Sequence, residues 1–288
     1  MLASKMIRAL LAIAVALLFP SAGSAGAWVQ PEGEAYLRIL GGWFETDERY
    51  DSEGKPIAFD PAAPTVYRDF ATALYGELGV SPRVTIVTDI QWKRLAADSR
   101  GSASDSTNSG FADAGFGLKV GLGKWNTTVA SLGAMAVFPT GYDPDRYPAL
   151  GSDVVDLTLS AQVGDASIQS WINGEAWFTA RGGDFRDQVG GALGLGFDVV
   201  TPLAVRGEAR GALPLGDPRP AADALVDPAD FDPSYLDLAG TASIRVVRGL
   251  AVEVEGRHTV GGRNTLRGTR WSVGLATSPA WRWWQPRS

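Results

Sequence analysis

Apolar and polar residues alternate with a period of two along most of the chain, in segments of about ten residues. That is the pattern of β-strands with two unlike faces. Leu250, Val252 and Val254 alternate with Glu253, Glu255 and Arg257, and Leu203 and Val205 with Arg206, Glu208 and Arg210. Leu236, Leu238, Ala242, Ile244 and Val246 interleave with Tyr235, Asp237, Thr241, Ser243 and Arg245. Val84, Ile86 and Ile90 oppose Thr85, Asp89, Gln91 and Lys93. The pattern predicts about twelve strands, near residues 33–45, 68–79, 83–95, 110–122, 127–139, 152–163, 167–181, 186–198, 203–214, 234–247, 250–261 and 267–278. After Trp28 no stretch is long and apolar enough for a membrane-spanning helix.

The connections alternate in length. Short turns are predicted near residues 79–82, 123–126, 164–166, 200–202 and 247–249, and longer polar loops at 46–67, 96–109, 140–151 and 215–233. A soluble β-sandwich shares the period-two pattern. The alternation of short and long connections, with an even strand count, favours a barrel whose ends face different compartments. Aromatics fall near strand ends: Trp43, Trp92, Phe138, Tyr142 and Trp271 on the long-loop side, and Trp125, Phe197, Trp281, Trp283 and Trp284 on the other. Such bands match interface girdles, and Trp43, Trp92, Trp125, Trp271 and Trp284 are the girdle candidates. The expected fold is all-β: one transmembrane antiparallel up-and-down β-barrel spanning residues 28–288, with both termini periplasmic.

The first 27 residues stand apart. Lys5 and Arg8 precede a short apolar run from Ala9 to Phe19, and Ala25-Gly26-Ala27 fits a cleavage site before Trp28. Residues 1–27 are therefore expected to be a cleaved export signal.

Composition narrows the chemistry. The chain has no cysteine and one histidine, which removes thiol catalysis and thiolate metal sites and leaves no histidine cluster. Its net charge of −6 argues against a nucleic-acid partner. No metal or cofactor site is expected. A serine-type barrel hydrolase needs a base within reach of a nucleophile, and His258 falls on the apolar face with Val252 and Val254. Glu253 and Glu255 share a face, but mixed-sign neighbours point to ion pairing. The run Gly191–Gly196 lacks the strand–loop–helix setting of a nucleotide loop. Acidic loop residues such as Asp51, Asp143 and Asp227 could bind cations that bridge lipopolysaccharide, but no calcium-loop spacing accompanies them, and solvated loop tips are the simpler reading. Gly190, Gly194 and Gly196 share one strand face, as either a thinned lumen wall or a point of curvature.

Several short motifs carry a resemblance. Trp28-x-x-Pro31-x-Gly33 opens the segment after the expected cleavage site, and Asp51-Ser52-Glu53-Gly54 lies in the first long loop. Leu74-Tyr75-Gly76-Glu77-Leu78-Gly79-Val80 precedes the first short turn. Gly110-Phe111-Ala112-Asp113, Pro139-Thr140-Gly141-Tyr142 and a strand with Glu175 that ends at Arg181 follow. In this order the chain resembles the bacterial outer-membrane barrels named phenol meta-pathway degradation proteins, themselves distantly similar to fatty-acid and aromatic-hydrocarbon channels. Ala112 and Leu78 depart from that pattern, as does the C-terminal Ser288. The resemblance implies a channel for aromatic or hydrophobic solutes and no degradative enzyme.

The polar strand face would line the lumen. Arg38, Asp89, Lys93, Asp113, Glu175, Arg181, Arg206, Glu208, Arg210, Arg245, Glu253, Glu255 and Arg257 are the candidate lining residues. Three function classes follow: a porin-like passage for small solutes, a closed structural barrel, and an outer-membrane hydrolase. The first is the principal expectation, with membrane lipid, lipopolysaccharide and a small solute as partners.

Overall fold

The computed structural model describes residues 26–59, 65–99, 106–167, 169–200, 202–216, 232–247 and 249–277. Twelve antiparallel strands close on themselves: β1 (Ala35–Thr46), β4 (Thr65–Ser81), β5 (Val84–Ser99), β7 (Ala114–Trp125), β8 (Thr128–Phe138), β9 (Asp156–Ala166), β10 (Ser170–Ala180), β11 (Gln188–Val200), β12 (Leu203–Pro214), β13 (Ser234–Val247), β14 (Leu250–Arg263) and β16 (Thr269–Thr277). Each pairs with its neighbours in chain order, and β1 closes the ring against both β4 and β16. Closure gives the strands partners on both sides, as a hydrocarbon environment requires.

The two faces are inverted relative to a soluble protein. Leu37, Ile39, Phe70, Leu118, Leu159, Ile172, Leu195, Leu238 and Leu275 all point outward and are exposed, and Leu193 reaches 66 %. An aliphatic side chain left in water forgoes about 1.5–3 kcal/mol, so a band this extensive requires an apolar surrounding. Charged and hydroxyl side chains occupy the alternate positions and turn inward. Among the described residues no helix is long and apolar enough to cross a membrane; the strands supply the apolar outer surface.

The ends differ as the connection lengths predict. Short turns close the first end, with Asn126 (φ 56°) between β7 and β8 and Gly249 (φ 78°) before β14. The long-loop end holds structure that alternation does not reveal. β2 (Glu48–Tyr50), β3 (Pro56–Ala58) and β15 (Thr265–Arg267) form a small separate sheet. β6 (Ser106–Phe111) extends the β5 ladder beyond the end of β7. Phe44, Phe59, Tyr67, Leu95 and Leu150 make a buried cluster there, with Tyr142 and Leu266 packed against it.

Candidate functional site

The lumen contains a cavity of about 790 Å³. Its wall has two characters. Leu40, Ala73, Val87 and Met135 contribute apolar surface from β1, β4, β5 and β8. Arg206, Glu208, Arg210, Asp237 and Arg257 face it from β12, β13 and β14, with Glu175 and Trp177 from β10.

Six side chains form a continuous belt on this wall. Arg38 donates from Nε to Glu253 at 2.7 Å and from Nη2 to Glu255 at 2.9 Å. Arg257 bridges Glu255 at 3.3 Å and Glu208 at 3.0 Å, and Arg206 donates to Glu208 at 2.7 Å. Arg38 reaches β14 across the intervening β16 because Ser272, Gly274 and Ala276 present little bulk there. Three arginines thus meet three glutamates. In a partly desolvated lumen each charge needs this partner, since an uncompensated buried ion is strongly unfavourable.

The other candidate lining residues take separate places. Arg210 stands 3.5 Å from Glu175, and its guanidinium lies 4.2 Å from the centre of the Trp177 ring. Gln162 also donates to Glu175, at 2.9 Å. Arg181 leaves the end of β10, pairs with Asp156 at 3.3 Å and Asp232 at 4.0 Å, and stacks 4.1 Å from the Phe185 centroid. Asp113 joins β6 to β7 and accepts from the Tyr142 hydroxyl at 2.6 Å and the Ser152 amide at 3.1 Å. Asp89 and Lys93 share the inner face of β5, and Arg245 faces inward near the short-turn end of β13; no ion pair within 4.0 Å joins these three to any described residue. Glu253 and Glu255 are both paired by Arg38, from the first strand.

Trp43 and Trp271 point outward, opposite each other on β1 and β16, and Trp92 follows the outer face of β5, in edge contact with Phe70 at 6.5 Å. Trp125 is exposed at the turn end of β7. Trp284 lies outside the described residues. Tyr142, grouped above with the outward aromatics, instead turns its hydroxyl to Asp113.

A second buried cluster sits at the short-turn end and was not legible as a site. The Glu77 side chain has no solvent exposure. It receives Lys119 Nζ at 2.6 Å, the Tyr75 hydroxyl at 2.6 Å and Gln30 Nε2 at 2.7 Å. Lys119 also donates to the carbonyls of Gly26 at 2.9 Å and Trp28 at 3.3 Å, and the Gln30 amide donates to Thr85 Oγ1 at 2.8 Å. The segment before β1 therefore lies against the inner wall. Gly79 makes that entry possible: a Cβ there would overlap the Pro31 carbonyl. Gly33 donates to the Gly79 carbonyl at 2.8 Å, and Gly79 to that of Glu34 at 3.0 Å.

The glycine face of β11 has a definite cause. Gly190 and Gly196 lie beneath the indoles of Trp177 and Trp171, which also face inward, and a Cβ at either position would run into the ring. Gly194 likewise makes room for Asn173. Among the described residues, no group of three or more His, Asp or Glu side chains is placed to hold a metal ion.

No protein-family model and no curated protein sequence matches the chain. Solved structures do. The COG4313 outer membrane channel from Pseudomonas putida F1 aligns over 89 % of this chain and 99 % of its own, with 14 % identity and a TM-score of 0.66. The NanC porin aligns over 84 % of this chain and 99 % of its own, with 7 % identity and a TM-score of 0.52. The KdgM porin gives 83 % and 98 %, 7 % identity and a TM-score of 0.50. At these identities the likeness concerns architecture: the chain has the twelve-stranded antiparallel barrel fold of outer-membrane channels and porins.

Proposed function

We propose that this protein is an outer-membrane channel that lets small solutes pass passively along the barrel axis. The observation that carries the reading is the 790 Å³ cavity with polar and charged walls, inside a barrel whose outer face is apolar. Small aromatic or otherwise hydrophobic solutes are the expected cargo. The family resemblance supports this, as do Tyr36, Tyr75, Trp177 and Tyr235 on the cavity wall. Residues 1–27 act as the export signal. Cleavage after Ala27 removes the Gly26 carbonyl from Lys119 and leaves those contacts to Trp28 and Glu77. The termini face the periplasm, and lipid and lipopolysaccharide surround the apolar band.

A catalytic role has little support. His258, the sole histidine, lies on the outer face with Nδ1 2.8 Å from Thr269 Oγ1. Among the described residues no carboxylate hydrogen-bonds to its ring, so nothing orients it as a base. A closed structural barrel is the second reading, favoured by the paired belt and by the side chains gathered at both ends of the lumen.

Planar-bilayer recording on the purified protein tests the proposal. Discrete conductance steps are expected. A silent bilayer, together with proteoliposomes that fail to swell in small aromatic solutes, would establish the closed barrel instead.

A further inference from the structure

On the reading of the lumen as a passage, its charges carry a sign. The strands place eight bases on the inner face (Arg38, Lys93, Lys119, Arg206, Arg210, Arg245, Arg257 and Arg270), and Arg181 adds a ninth just past the end of β10, against ten acids (Asp69, Glu77, Asp89, Asp156, Glu175, Asp198, Glu208, Asp237, Glu253 and Glu255). Most of these cancel within ion pairs of 3.5 Å or less, including Arg270 with Asp69 and Lys119 with Glu77. A permeating ion meets what is left over.

The remainder is acidic. Asp89 and Asp237 both line the cavity, and neither has a base within 4.0 Å among the described residues. Asp113, at the long-loop end, is held by hydroxyl and amide donors only. Oδ1 of Asp237 is buried and has no hydrogen-bond partner. Nearby, Arg181 is shared between two acids, Asp156 and Asp232; the latter is 1 % exposed, with Oδ2 also unpartnered. Against these stand two bases without an ion pair, Lys93 and Arg245. Lys93 stands four residues from Asp89 on the same face of β5, and Arg245 sits at the far, short-turn end.

We propose that the passage selects cations over anions of equal size, with Asp237 and Asp89 as the specificity-determining residues. A low-dielectric wall concentrates the field of unpaired charges in the water it encloses, and counter-ions enter at the expense of co-ions. The paired belt is excluded from this role because its three arginines and three glutamates cancel locally. Organic ammonium solutes belong to the favoured class, since the same cavity offers the faces of Tyr75 and Tyr235 beside these carboxylates.

The test is the reversal potential of the full-length protein in a planar bilayer under a potassium chloride gradient. Potassium is expected to permeate several-fold better than chloride. Asp237→Asn and Asp89→Asn should each lower that ratio, and the double variant should bring it towards unity. Asp237→Ser provides a second variant should the amide misfold, and heat-modifiable migration in gels reports folding for all of them. Glu53→Gln, in the exposed outer hairpin, should leave the ratio unchanged. Chloride preference in the wild type, or a ratio unmoved by both asparagine variants, overturns the proposal while leaving the passage intact. Absence of any current overturns the passage reading and this selectivity with it.

Discussion

The indole of Trp177 lies over Gly190 of the adjacent strand, and the guanidinium of Arg210 sits 4.2 Å from its ring centroid. One residue without a side chain thus lets a large ring lie flat against the wall and support a charge in the lumen. The same relationship recurs between Trp171 and Gly196. Gly190→Ala and Gly196→Ala should each force the overlying ring off its rotamer, at a cost of about 1–3 kcal/mol. Urea unfolding in detergent micelles, followed by tryptophan fluorescence, would show the shift. Gly207→Ala, where a Cβ meets nothing within 4 Å, is the control and should unfold as the wild type does.

Arg257 holds two glutamates at once, Glu208 and Glu255. Removing it as Arg257→Ala leaves two partly buried carboxylates with one arginine each, and a loss of about 3–5 kcal/mol is expected. Truncating both sides, as in Arg257→Met with Glu208→Gln, should recover part of that loss. A double-mutant cycle on the unfolding free energy measures the coupling.

At the outer rim Arg68 pairs with Glu45 at 2.8 Å and with Asp98, on the exposed side of the wall. Solvent screens that network, so Arg68→Ala should cost less than about 1 kcal/mol. Comparison with Arg257→Ala at low and at high salt would separate the two sites, because only the rim pair is expected to weaken appreciably.

Asp51 closes the β2–β3 hairpin by accepting the amides of Lys55 at 2.8 Å and Glu53 at 2.9 Å. The Lys55 backbone bond, foremost, holds its carboxyl below the usual carboxylate range. A depressed folded-state value contributes order to the hairpin above the unfolded value, and the contribution is lost as pH falls through the folded one. Amide exchange at Glu53 and Lys55 should therefore be insensitive to pH-induced opening near neutrality and show it only in acid. Asp51→Asn should abolish that acid transition.

Much of the barrel was legible because charge and apolar residues alternate without interruption. The strands at 203–214 and 234–247 are observed with those bounds, and Leu203-Ala-Val-Arg-Gly-Glu-Ala-Arg shows why: each inward charge is flanked by outward small or aliphatic residues. The inward phase of Trp171 and Trp177 could have been read in the same way, since both share the face of Asn173 and Glu175. Neither was among the girdle candidates, and neither was placed in the lumen. The small outer sheet was not legible, because β15 joins β2 across more than two hundred residues and three-residue strands have no period to detect. Nor was the inner position of residues 26–31: it depends on Glu77, Lys119 and Thr85 converging from three strands, which no local pattern encodes.

The segment before β1 has a mechanical consequence. It touches the inside of the barrel through side-chain contacts and a few backbone bonds near Gly79, while the twelve-stranded ring closes through β1, β4 and β16 without it. The hoop that resists the membrane and the tether that narrows its bore are thus separate parts. Every rung of the hoop is made without the tether, so the shape of the wall does not depend on where the tether is seated.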